Sequence, residues 1–97
     1  MLMRHKLSSR AVQDVARLYR QSILRFGKRH ADTYLQQLES TFVKIAEGPE
    51  AVPLRDEYAG NVRIRRHEAH HIVYRREGDH VLIVRVLHGR QDISKYL

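Results

Sequence analysis

The residues best placed for chemistry cluster at one point near the C-terminus. The segment His80 to Leu87 is almost wholly apolar but carries Arg85 in its middle, and it closes on His88, Gly89, Arg90 and Asp92. A histidine titrates near neutrality, so His88 could serve as a general acid or base, or as a structural side chain that bonds the end of its strand. An arginine inside an apolar run needs a partner or an open groove. Upstream, Arg63 and Arg65 share one face of a short strand, Arg66 lies just beyond it, and Arg75 and Arg76 end the next. If these strands pair as hairpins, several arginines gather near one sheet face. That arrangement is a candidate anion-binding surface, or else a solvated basic face tied to scattered carboxylates.

Other chemistries find little support. The chain has seven histidines, but adjacent His70 and His71 point to opposite faces of a strand. His67 and His70 lack a third ligand at a recognisable spacing, so no metal and no cofactor are expected. There is no Gly-rich phosphate loop and no strained nucleophile turn, and Ser94 and Thr41 have no paired base. Asp56, Glu57 and Asp92 do not suggest a glycosidase-like carboxylate pair. Tyr58, Tyr74 and Tyr96 could stack on bases, yet aromatics make up only 7% of the chain, sparse for a single-stranded RNA platform.

The elements that must hold these residues follow from periodicity. Residues 2–7 alternate as a short strand, with Met3 and Leu7 on one face. Ser8 and Ser9 offer an N-cap. Val12, Val15, Leu18, Tyr19, Ile23 and Phe26 then recur at helical spacing until Gly27 stops the helix. A second stripe, Ala31, Tyr34, Leu35, Leu38, Phe42, Ile45 and Ala46, ends at Gly48 and Pro49. So short a link makes the two helices an antiparallel αα-hairpin. Residues 49–61 read as a loop. Three strands follow, Val62–Arg65, His70–Tyr74 and His80–Leu87, with Gly78 and Asp79 turning between the last two.

The expected fold is α+β in the order β-α-α-β-β-β, with the N-terminal αα-hairpin covering one face of a small, mainly antiparallel sheet. Alternation along the last strand assigns Leu82, Val84 and Val86 to the helix side, with His88 continuing that set. It assigns Val81, Ile83, Arg85 and Leu87 to the other side. Leu24 and Val43 lie off the main stripes and are candidates for a groove that receives a partner helix, or are isolated surface apolars.

Size and charge bound the rest. The 97 residues imply a single domain over 1–97. No cysteine is present, which excludes disulfides and is compatible with a cytoplasmic location. Met1 to Lys6 contain no long apolar run, so no signal peptide is expected, and no stretch reaches the length of a membrane span. The net charge is +7, and fourteen of the 18 basic residues are arginine. That balance suits solubility, or an anionic partner such as nucleic acid, a nucleic-acid machine or an acidic protein segment.

The residues also resemble a known family, from end to end. Leu7-Ser8 with Ala11 and Asp14 is similar to the opening strand and first helix of the ParE toxins of the RelE/ParE toxin–antitoxin superfamily. Phe26-Gly27, Ala31, Tyr34 and Leu38 resemble the family's hairpin. Asp56-Glu57, Gly60 and Arg63 precede a match at His70, Tyr74 and Arg75. Arg85-Val-Leu-His88, followed by Arg90 and Asp92, is the most specific piece.

The resemblance implies a toxin bound in a hetero-oligomer by a ParD-like antitoxin that wraps across the helices and sheet. It implies a non-enzymatic inhibitor of DNA gyrase, with no direct sequence-specific nucleic-acid binding. On this reading the partner-binding residues are Arg63, Arg65, Arg85, His88, Arg90 and Tyr96, and Leu24 and Val43 mark the antitoxin groove. The sister branch, which resembles RelE and YoeB, gives the alternative of a ribosome-dependent messenger RNA endoribonuclease using Arg65, Arg85, His88 and Tyr96. Against it, none of the four lysines lies in the central strands. Gly89 also stands where a YoeB-like site has a tyrosine after its histidine.

Overall fold

The computed structural model describes residues 3–97. Its elements are β1 (Arg4–Leu7), α1 (Ser9–Phe26), α2 (Lys28–Glu47), β2 (Arg63–His67), β3 (His70–Glu77), β4 (His80–His88) and a closing 3-10 turn, Ile93–Lys95. The expected order therefore holds. Leu2, the first position of the expected N-terminal strand, and Met1 lie outside the described residues.

Local chemistry sets the boundaries. The Ser8 hydroxyl accepts from the Ala11 N–H at 3.0 Å and donates to the Val84 carbonyl at 2.7 Å. It caps α1 and at the same time ties that helix to β4. Gly27 separates the helices at φ 89°, a conformation that only glycine adopts without strain, and its N–H closes on the Ile23 carbonyl.

The sheet order is β1-β4-β3-β2, with β1 parallel to β4 and the other pairs antiparallel. The hairpin covers one face. Leu18, Leu38, Phe42 and Ile45 from the helices meet Ile72, Tyr74, Val81, Ile83 and Val86 from the sheet. A smaller cluster on the opposite face joins Val62, Val73, Leu87 and Ile93, with Tyr58 against it. The loop before β2 and the C-terminal turn thus cover part of the face that the helices leave open.

Two sequence expectations change here. In α1 the buried positions are Ala11, Asp14 and Leu18, while Val12 and Phe26 are 54% and 62% exposed. In β4, Tyr74 faces Ile83 but Val73 faces Arg85, so Val84 is an extra residue on the strand. This β-bulge reverses the alternation. Val81 and Ile83 therefore point to the helices in place of Leu82 and Val84, whereas Val86 keeps the side expected of it.

The arginines also do not gather on one face. Directly opposed residues share a face. Arg63 and Arg65 oppose Tyr74 and Ile72, on the helix side, whereas Arg66 opposes His71 and Arg75 opposes Leu82, on the other.

Candidate functional site

β1 ends at Leu7, opposite Ile83, so beyond that point β4 has a free edge facing α1. Asp14 fills this gap. Its carboxylate accepts from Arg85 Nε at 2.8 Å, from Arg85 Nη2 at 2.9 Å and from the Val86 backbone N–H at 2.9 Å. Arg85 is 8% exposed and Asp14 9%. A buried guanidinium bound this way by both carboxylate oxygens is held charged, and the Asp14 bonds push the Arg85 pKa further up. The third donor, Nη1, bonds the Tyr96 carbonyl at 3.1 Å, and the Tyr96 ring lies 5.3 Å from the guanidinium carbon. The C-terminal tail thus folds back onto Arg85. Asp92 caps its 3-10 turn by accepting from Ser94.

A second group lies on the helix side, at the end of the sheet. Tyr34 on α2 places its hydroxyl 2.6 Å from His70 Nδ1, and the His70 ring meets the His88 ring edge-on at 5.5 Å. The same hydroxyl lies 3.4 Å from the His67 carbonyl, to which it can donate while accepting from His70 Nδ1. Burial, reinforced by His88, His67 and His71, lowers the His70 pKa to about 4. Burial also raises Tyr34 to about 12. The Thr41 hydroxyl donates to the Gln37 carbonyl and therefore accepts from His67 Nδ1 at 2.9 Å. His67 Nε2 is then a buried acceptor with no partner among the described residues. A pocket of about 290 Å³ opens beside this row, lined by Leu18, Arg25, Phe26, His30, Tyr34, His70 and His88 among others.

His88 itself is exposed, and its Nδ1 accepts from the Arg90 N–H at 3.1 Å. It ends its strand as a structural histidine does, with Nε2 left for a partner. The remaining candidate residues are dispersed. Arg63 donates to the Val52 carbonyl and so anchors the loop. Arg65 sits two strands from β4, about 10 Å away across the sheet. Arg90 is exposed, and Tyr96 is 37% exposed. Leu24, 85% exposed, lies near the hairpin turn, whereas Val43, 49% exposed, lies about 22 Å along α2 from that turn. The two apolar residues do not share one short groove. Among the described residues no three His, Asp or Glu side chains are arranged to hold a metal ion.

Residues 6–93 match the family model described as the ParE toxin of the type II toxin–antitoxin system, parDE. The chain belongs to the ParE toxin family. A solved structure, the chromosomal ParDE TA system from P. aeruginosa, is similar with a TM-score of 0.78 at 18% identity, over 90% of this chain and 96% of that one. At that identity the likeness concerns the fold. No curated protein matches the chain.

Within this ParE fold, two positions that matter escaped the sequence reading. Asp14 was legible as a family position but not as the partner of Arg85. Its spacing from Ala11 and Leu18, three before and four after, is the signal that placed it on the buried face of α1. Tyr34 read as one more apolar residue in the α2 stripe, and its bond to His70 depends on how the helix crosses the sheet.

Proposed function

We propose that this ParE-family chain is a single-domain, non-enzymatic inhibitor of DNA gyrase, acting in the cytoplasm and held inactive in a hetero-oligomer by a ParD-like antitoxin. One observation carries the choice of an inhibitor over a nuclease. Arg85, the cation that a phosphodiester-cleaving site would need, has its guanidinium committed to Asp14 and to the tail carbonyl of Tyr96. Arg65 and His88 lie apart from it. A base, an acid and a free cation must converge for the ribose hydroxyl to attack a phosphate, and the set Arg65, Arg85, His88 and Tyr96 does not offer that convergence.

The basic charge of the chain suits an acidic antitoxin. A segment touching both Leu24 and Val43 would run about 18 Å along the hairpin, about 12 residues if helical. Among the described residues no helix is long and apolar enough to cross a membrane. Exposed residues His88, Arg90 and Tyr96 supply the partner surface at one end of β4, with Arg63 and Arg65 at the far edge of the sheet.

The test is expression without an antitoxin, followed by assays of gyrase-dependent DNA cleavage and of message cleavage on ribosomes. Trapped gyrase–DNA complexes with intact messages are the expected result. Cleaved messages with unaffected gyrase would overturn the proposal.

A further inference from the structure

The Asp14–Arg85 pair has an effect on the opposite side of α1. Asp14 is the only carboxylate in the helix, and it is turned inward and neutralised. With about 100° between successive residues, Arg10, Gln13, Arg17, Arg20, Gln21 and Leu24 fall within one outward arc of about 100°. All six are exposed. Among the described residues Arg10, Arg17 and Arg20 form no ion pair, and the exposed ion pairs that do form, Lys28–Asp32, Arg55–Glu57, Arg75–Glu77 and Arg76–Glu50, lie on other elements. The carboxylates of the fold thus pair away from this face. At its inner border Arg17 and Gln21 line a shallow pocket with Asp14, His88 and Gln91, so this face adjoins the end of β4.

We propose that this outward face of α1 docks on the phosphate backbone of duplex DNA, with Arg10, Arg17 and Arg20 each engaging a phosphate and no base being read. Three features favour this partner. Protein interfaces centre on a desolvated core in which arginine stands beside aromatic or apolar anchors, and the arc holds no aromatic and only the isolated Leu24. Single strands are gripped by stacking on aromatics, and the arc has none. Arg10 to Arg20 span about 15 Å of helix, a length that faces about nine phosphate charges on a duplex, so the three guanidinium groups need not compete for one phosphate. The choice of DNA over duplex RNA rests on the gyrase reading. The contact itself does not, and it is measured without gyrase.

The test is fluorescence anisotropy of the full chain on a mixed-sequence 30-base-pair duplex across a salt series. Three phosphate contacts contribute a slope of about −2.7 in log affinity against log salt, so binding tightens about 40-fold from these contacts alone between 200 and 50 mM salt. Replacing all three arginines with glutamine (R10Q/R17Q/R20Q) removes that component, R17Q alone removes about a third of it, and R10K/R17K/R20K retains it. A glutamine triple variant that unfolds at the wild-type urea midpoint yet keeps the wild-type slope overturns the proposal. So does binding confined to duplex RNA of the same sequence. A variant that loses affinity for an acidic protein partner while its DNA slope stays unchanged would assign the face to protein docking instead.

Discussion

Replacing Asp14 with asparagine is the sharpest perturbation the structure offers. The carboxylate accepts three N–H groups, two from Arg85 and one from Val86. Asparagine keeps one acceptor oxygen and turns an NH2 group toward donors. At least one donor is stranded, and the buried guanidinium loses its counter-charge. Removing one partner of a buried ion pair costs about 3–5 kcal/mol. A domain of this size holds roughly 5–15 kcal/mol in all, so the variant should lose a large share of its stability and melt roughly 12–40 °C lower. Urea unfolding followed by circular dichroism reads the change. Asp56→Asn, which alters the same charge on an exposed loop, is the control and should stay within about 0.5 kcal/mol. The double variant Asp14→Leu/Arg85→Met separates burial of a charge from loss of contact. Without an uncompensated charge it should recover about half of the loss, leaving about 1–3 kcal/mol for the stranded Val86 N–H. A D14N cost below about 1 kcal/mol, or a double variant no better than the single, would refute the reasoning.

Other expectations test separate parts of the fold. His70 is held neutral by burial, with its pKa lowered from 6.5 to about 4. Unfolding therefore takes up a proton between those values, and stability falls as the pH drops through that window and is flat above it. Relative to His70→Gln, the wild type should lose about 1–2 kcal/mol between pH 6.5 and 4, allowing for partial solvent screening. Equal pH slopes for the two proteins would remove His70 from the account. The buried Tyr74 hydroxyl donates to the Pro49 carbonyl at 2.8 Å, so Tyr74→Phe should cost about 1–2 kcal/mol in denaturant unfolding. Ser8→Ala removes both the α1 cap and the bond to the Val84 carbonyl, and a loss of about 1–2 kcal/mol is expected by the same measurement.

Much of the fold was legible because its signals are local. Ser8 capped the first helix, Gly27 divided the hairpin, and Gly78 with Asp79 turned β3 into β4 where expected. The α2 stripe was read correctly from Ala31 to Ala46, since the sheet covers that helix along its length. The α1 stripe was read about one position out: Val12 sits between buried Ala11 and Asp14 but points away from the sheet, and Phe26 lies at the exposed end of the helix. The arginine surface failed for a related reason. Spacing tells which residues of one strand share a face, but hairpin register decides which strand's face joins which, and that register put Arg63 and Arg65 with the helices and Arg66 and Arg75 opposite.

Sequence by itself determined the element order, the αα-hairpin, the family resemblance and the anomaly of Arg85, all of which rest on the short-range periods of helix and strand. Alternation along β4 already put Arg85 on the face away from the helices, where it opposes Val73; tertiary structure alone decided what it does there. A one-residue bulge at Val84 turns Val81 and Ile83 to the helices while Arg85 keeps its side, and a strand that ends at Leu7 leaves an edge for Asp14 to fill. Those are long-range matches between residues about seventy positions apart in the chain. No local pattern encodes them, and they turn a candidate catalytic arginine into the buried half of an ion pair that leaves the outer face of α1 without a negative charge.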